Sequence, residues 1–541
     1  MDTEQFFGRE NVLALLKKRL TDLKEGYRQN IALLGRQHVG KTMILQKFLS
    51  EIDDHAVVAI YLDLSNTDFP AFYHRYAGQI LYQFSRLKGL PTGDDLSALC
   101  EKIQPHLPQT VRAILNIRDL IAQDRESEAC REILSLPEVF SQESNLYCVL
   151  IIDEFHHLEE LGGGDAFQEL GKKIMTQKRC LYIVSSSFPA VAGKILTEKL
   201  SLLFGNFEEI PLNAFDPGTG KEFVSVRLKG LAMGEQLNHF LIDFTGGHPL
   251  YLHLITQELL HLAAVHQQKE VFVPLLARAV ERVLFDPWGV LSRHFELMVN
   301  RVVAGKGNQL ISSVLISLSG GKQKLKDIAD DIAATQSVLQ PRLNRLLEQG
   351  LAAKSGHFYY LHDKMLRFWV KYVYQRRLRS LDPDPEKQRA GFQQEFEASV
   401  ENFKRASGED LSSRIVDLLY CFENEALHVN GRRYKLPLFE QIVQTKVRSV
   451  SGSPFDIIKA TGPEGDWWVV LKKGGLSEND IQTIMTESKR NAQKPQKCIL
   501  VALNAMDENT RVKALAERMW IWSESEINSL LNLYGKPFIV G

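Results

Sequence analysis

The sequence predicts an α/β protein whose first domain is built on a parallel sheet, and three observations carry that prediction. The apolar run Ile31-Ala32-Leu33-Leu34 opens into Gly35-x-x-x-x-Gly40-Lys41-Thr42 and then into the helical stripe from Met43 to Leu49, so a strand, a glycine-bounded loop and a helix follow in succession. Two further runs, Ala56 to Leu64 and Leu146 to Ile152, are apolar over strand length apart from Asp63, as expected of strands buried on both faces of a parallel sheet. Long helical patterns separate these strands, and 541 residues leave room for several cores.

The first loop has Walker A spacing, and each residue type in it has a physical task. Gly35 and Gly40 let backbone N–H groups approach phosphate oxygens, Lys41 places a charge on the outer phosphates, and the Thr42 hydroxyl is a Mg²⁺ ligand. The helix behind the loop turns its positive end toward the anion. The run from Leu146 ends in Asp153-Glu154, a Walker B pattern in which Asp153 holds Mg²⁺ through water and Glu154 orients the attacking water. ATP and Mg²⁺ are the cofactors these motifs imply. Cys180 to Val184 predicts another strand, ending at Ser185-Ser186-Ser187. Ser186 is a candidate to touch the γ-phosphate or the water there, and three serines read equally as a plain turn.

Composition bounds the rest. Apolar residues at 44% and charged residues at 24% are those of an ordinary globular chain rather than a disordered one. The formal net charge of −1 gives no global pull toward nucleic acid or membrane, so any such contact is a local patch. Six cysteines, Cys100, Cys130, Cys148, Cys180, Cys421 and Cys498, are spread without a C-x-x-C pair and read as reduced thiols. The N-terminal segment is polar, and no stretch approaches the ~20 apolar residues of a membrane span, so a cytoplasmic location without a membrane partner is expected.

Upstream of the loop, Phe7-Gly8-Arg9-Glu10 leads into an amphipathic helix with Val12, Leu13, Leu15, Leu16 and Leu20 on its apolar side. Residues 68–144 are mostly helical in pattern, and the charged tract from Asp119 to Glu138 reads as an insertion. Farther on stands Thr245-Gly246-Gly247-His248-Pro249-Leu250-Tyr251. Together with the Walker pair, these motifs resemble a STAND-class relative of the AAA+ ATPases, the family often called archaeal ATPases. The resemblance covers residues 1 to about 380. It implies a P-loop core over 1–214, a helical lid over 215–304, nucleotide-dependent switching, Arg9 on the adenine side and Pro249, of the lid's G-x-P signature, among the nucleotide-binding residues. One position departs: where relatives carry a candidate arginine finger after a Leu-x-Gly turn, Leu203-Phe204-Gly205 is followed by Asn206. Slow hydrolysis is therefore expected rather than motor activity.

Residues 305–380 read as a winged helix-turn-helix with a following helix. Leu325 to Ala329 is a short helix, Ala333 to Ser337 a turn, Val338 to Gln349 a second helix, and Leu351 to Leu361 a two-stranded wing. Gln340, Arg342, Asn344 and Arg345 on the helix and Lys354 on the wing are candidate DNA contacts, of the types that meet bases and phosphates. The alternative is a module that only packs against the ATPase. Asp382-Pro383-Asp384-Pro385 reads as a linker to a last domain over 381–541. Its helix, its Phe455 to Ala460 strand and its Trp467 to Lys473 strand resemble the restriction-endonuclease-like nucleases. Those require two carboxylates and a lysine at D…E-x-K spacing; Asp456 and Lys473 match, and Leu471 stands where the second acid belongs. The expected protein is an ATP-dependent switch with DNA as ligand and an inactive nuclease-like domain. An ATP-gated nuclease and a switch acting only on a protein partner or a second copy are the alternatives.

Overall fold

The computed structural model describes residues 6–65, 67–93, 95–162, 165–200, 207–304, 309–361, 363–379, 385–429, 432–448, 454–472, 476–490, 494–503 and 506–539. They divide into two compact units, Met1–Phe215 and Asp216–Gly541.

The first unit is a five-stranded sheet of β1 (Asn30–Leu34), β2 (Val57–Asp63), β3 (Tyr147–Asp153), β4 (Cys180–Ser186) and β5 (Phe207–Pro211). All pairings are parallel, in the order β2-β3-β4-β1-β5. Because β1 lies between β4 and β5 while β3 lies on the far side of β4, the loops leaving β1, β3 and β4 meet at one end of the sheet, where α/β proteins place their ligands. On one face, Leu16 of the helix Glu10–Lys24 and Ile44, Leu45 and Phe48 of the helix Lys41–Ser50 pack on Ile31, Leu33, Val149 and Ile183. This apolar contact fixes the axis of the helix that follows the loop.

Segment 68–144 forms five helices: Phe69–Lys88, Leu96–Ile103, Pro108–Ala122, Glu126–Ile133 and Leu136–Ser144. Tyr76, Ile80, Ile114 and Phe140 from these helices cover the other face over Val58, Leu150 and Tyr182. The charged tract within it buries Ala129, Cys130, Ile133 and Leu136, so it is part of the layer that closes the sheet rather than an appendage. A second difference concerns β2, which is an edge strand. Its Val58, Ile60 and Leu62 are buried, whereas Ala59, Tyr61 and Asp63 are half-buried, so its uninterrupted hydrophobicity overstated its burial. Leu203 to Asn206, the position of the missing finger, lie outside the described residues.

In the second unit the helices Pro217–Arg227, Glu235–Thr245, Pro249–Val265, Val273–Phe285 and Val290–Val303 come first, with a minimal parallel pair, β6 (Ala232–Met233) and β7 (Glu270–Val271). Then come the helices Gln309–Ser319, Leu325–Ile332 and Gln336–Glu348 and an antiparallel hairpin, β8 (Ala353–Ser355) and β9 (Phe358–Tyr360), with Lys324 bridging to Phe358. Pro341 sits inside the third of these helices, where it removes a backbone donor; the Arg342 guanidinium folds back onto the Val338 carbonyl at 3.0 Å. Linker positions 382–384 lie outside the described residues, and the helix Pro385–Gly408 begins at Pro385. Its Phe392, Phe396 and Phe403 pack on Phe240, Phe244, Phe285 and Phe368, so the apolar core of the preceding helices continues past that segment.

The remainder holds the helix Leu411–Leu419, a hairpin of β10 (Glu425–Val429) and β11 (Arg432–Leu436), and a second five-stranded sheet. That sheet runs β12 (Gln441–Arg448), β13 (Pro454–Thr461), β14 (Trp467–Leu471), β15 (Lys497–Ala502) and β16 (Trp520–Ser523) in chain order. Its first three strands are antiparallel and its last three parallel.

Candidate functional site

The site forms where β1, β3 and β4 end. Gly35 opens the loop with the Leu212 carbonyl pressed against the position a Cβ would take, so no larger residue fits without moving the segment after β5. That segment is pinned by a 2.6 Å bond from the Leu212 N–H to the Leu34 carbonyl. Gly40 closes the loop at φ 103°, a conformation costly for residues with a side chain, and caps the helix Lys41–Ser50.

Lys41 is 4% exposed, and its ammonium donates to the Gly35 carbonyl at 2.9 Å, the Arg36 carbonyl at 2.8 Å and the Ser187 hydroxyl at 2.9 Å. Burial holds its pKa below the usual lysine range, against the opposing charges of Glu154 and Asp153. Asp153 accepts from four groups. The Thr42 hydroxyl at 2.9 Å and the Tyr61 phenol at 2.7 Å share one oxygen; the Ser185 hydroxyl and the Glu154 N–H, the latter at 3.1 Å, share the other. Burial first, and then the charge of Asp153, holds the Tyr61 phenol above its ordinary range. Glu154 has φ 52°, an uncommon left-handed backbone for a side-chain-bearing residue. Both of its oxygens are taken by Ser187, one by the N–H at 2.8 Å and one by the hydroxyl.

Lys41, Thr42, Asp153 and Glu154 are thus brought together, and the serines divide their work. Ser185 holds Asp153 and Ser187 links Lys41 to Glu154, while Ser186 faces His156 Nδ1 at 3.0 Å. His156 lies 3.4 Å from Glu154, and its ring is tilted by 39° against that of His157 at a centroid distance of 4.1 Å; burial, then the His157 charge, lowers its pKa to about 4. Sequence reading missed Tyr61 and His156, and among the three serines it singled out Ser186 where Ser187 is the one between Lys41 and Glu154. Tyr61 pairs with Ile151 across β2 and β3, two positions short of the Asp63 and Asp153 pair, so only knowledge of strand order would have found it. Arg9 is engaged at one remove from the loop: it donates to the Asn213 carbonyl, and its guanidinium lies 4.9 Å from the centroid of Phe215, against which Phe7 also packs. Pro249 occupies the first turn of its helix in the second unit, after Gly246 and Gly247 at φ 62° and 68°.

The hydroxyl of Thr42, the carboxylate of Asp153 and a helix N-terminus behind a buried lysine form a donor set suited to a magnesium-bound polyphosphate. Fold and site together define a P-loop nucleotide-binding α/β unit. More narrowly, residues 5–173 match the family described as AAA ATPase domain. No curated protein matches the chain. Among solved structures, the chain is similar to a Walker-type ATPase of Pyrococcus abyssi at 16% identity and a TM-score of 0.45, over 68% of this chain and 97% of that one. It is also similar to the Aeropyrum pernix ORC2 protein, solved in ADPNP–ADP complexes, at 12% identity and a TM-score of 0.43, over 70% and 96% of the two chains. The Thermotoga maritima RuvB Holliday junction branch migration motor shows 14% identity and a TM-score of 0.34, over 70% and 98%.

The other candidate residues lie in the second unit. Gln340 bonds Asn344 at 3.0 Å and the Tyr359 hydroxyl at 3.1 Å; Arg342 is turned onto its own helix; Arg345 is half-exposed and Lys354 exposed. Asp456 and Leu471 are direct cross-strand partners, so their side chains share one face. Asp456 also pairs across the strands with Lys446 and accepts from the Ser412 hydroxyl at 3.2 Å, whereas Leu471 is buried in an apolar cluster with Ile458 and Val469. Glu464, just ahead of β14, is ion-paired with Lys435. Lys473 lies outside the described residues.

Proposed function

We propose that the first unit binds ATP with Mg²⁺ and hydrolyses it slowly, and that nucleotide state sets the DNA affinity of the second unit. The observation that carries this reading is the convergence of Lys41, Thr42, Asp153 and Glu154 on one loop. Magnesium, when bound, supplies charge neutralisation between the outer phosphates. Lys41 exchanges its two loop carbonyls for phosphate oxygens, since a cation gains more from an anion than from neutral carbonyls. Thr42 and Asp153, already hydrogen-bonded to each other, would hold that ion, the hydroxyl directly and the carboxylate through water. Glu154 holds a water as general base once it has left Ser187, and Ser187 then remains beside Lys41 to meet the γ-phosphate. The three helices and hairpin of residues 309–361 support a winged helix as the DNA-reading module, with Arg345 and Lys354 its accessible cations. The buried Leu471 beside Asp456 supports a nuclease-like domain that has lost its metal grip.

The test is ATP binding and turnover by the wild type and Lys41→Ala. Tight Mg²⁺-dependent binding with slow turnover, both lost in the variant, supports the reading; equal affinity in the two proteins refutes it.

A further inference from the structure

In the second unit, Lys326, Lys354, His357, Gln336, Gln340 and Tyr359 line a cleft of about 330 Å³ between the first turns of the helices Leu325–Ile332 and Gln336–Glu348 and the β8–β9 hairpin. Lys324 completes the wall, and none of the described lining residues is acidic. Their charges are not equivalent. Lys324 is paired with Glu423 and, at 3.4 Å, with Glu425, so its charge is already answered. Lys326 and Lys354 have no ion-pair partner among the described residues, and both are exposed. The floor is Tyr359, 3% exposed, whose hydroxyl is held by Gln340 at 3.1 Å and whose ring centroid lies 5.0 Å from the Lys354 ammonium.

We propose that this cleft is a phosphate site, taking the phosphate group of a nucleic-acid backbone or of a small phosphorylated molecule. Two unanswered ammonium groups converge on it with the amide donor of Gln336, while the Gln340 amide is spent on Asn344 and Tyr359 and fixes the floor, and an anion is the ligand that set stabilises. The volume falls at the lower end for ligand sites, about 300 Å³, enough for a phosphate and part of its ester but not for a large apolar ligand. For nucleic acid the site deepens the DNA reading above and rests on it; for a small phosphorylated ligand it stands without it.

The test is lysine acetylation of the full chain with a limiting active ester, the rate at each lysine being read by peptide mass spectrometry. It is run with sodium chloride, with sodium phosphate at equal ionic strength, and with a short DNA duplex. Lys326 and Lys354 should react about fivefold more slowly when phosphate stands at four times its dissociation constant, while exposed Lys18 and Lys229 keep their rates. Protection by both phosphate and duplex assigns the cleft to a nucleic-acid backbone. Protection by phosphate alone retains the site and rejects DNA as its ligand. Unchanged rates at Lys326 and Lys354 in phosphate overturn the proposal whatever the duplex does, and in that case duplex binding sensitive to Arg345→Ala would leave the DNA reading standing without this cleft.

Discussion

Single residues in the site separate binding from turnover. Glu154→Gln should keep ATP affinity within a few-fold and lower turnover by about 10²–10⁴, the range for a lost general base. Ser187→Ala, which frees both Glu154 and Lys41 from one hydroxyl, should alter turnover more than affinity. Isothermal titration and phosphate release on the same preparations measure both, and equal loss of binding in the two variants would merge the roles. His156 gives a pH signature. Its folded pKa, about 4, lies below the unfolded value of 6.5, so between them the unfolded chain binds the extra proton. The contribution is fully present above pH 6.5 and is lost as pH falls toward 4. His156→Gln should therefore flatten the acid side of the melting-temperature profile across that window; a parallel downward shift at every pH would contradict the account. The contrast between Lys41 and Tyr61 shows what sequence can carry. The whole Walker A loop lies within consecutive residues whose spacing encodes its geometry, whereas Tyr61 reaches Asp153 only because β2 and β3 are neighbours, a fact of topology absent from any local pattern.

At the scale of elements, β1 and its loop were legible because strand, glycines and helix are contiguous, and β13 and β14 because each is a short apolar run bounded by turns. The edge position of β2 was not, since a run such as Val57 to Leu62 is equally apolar at the centre or the rim of a sheet. Strands β10, β11 and β12 were missed because charged and polar residues interrupt them, as in Gln441-Ile442-Val443-Gln444-Thr445-Lys446. The close approach of Leu212 predicts that Gly35→Ala displaces the loop, costing about 1–3 kcal/mol in stability and weakening ATP binding together. In the second sheet, the direct pairing of Asp456 with Leu471 establishes their register. Purified protein with Mg²⁺ or Mn²⁺ should then leave plasmid DNA uncut, because one carboxylate does not fix a divalent ion beside a scissile phosphate. Cleavage that disappears in Asp456→Ala would reverse this. Leu471→Glu would bury a carboxylate beside Ile458 and Val469 and should lower the melting temperature rather than create a nuclease.

For the whole molecule, no helix among the described residues is long and apolar enough to cross a membrane. A net charge of −1 leaves any nucleic-acid contact to local cations such as Arg345, Lys326 and Lys354. A switch requires that one nucleotide state bind DNA more tightly than another, and linkage sets the expected size, about 5- to 150-fold for ordinary coupling energies. The most direct measurement is a titration of one DNA duplex with the full chain in ATP, in ADP and without nucleotide, at a single stated salt concentration. The account predicts dissociation constants that differ at least about fivefold between the ATP and ADP states, with the difference abolished in Lys41→Ala. The same dissociation constant in all three states, or a difference that survives Lys41→Ala, would contradict it.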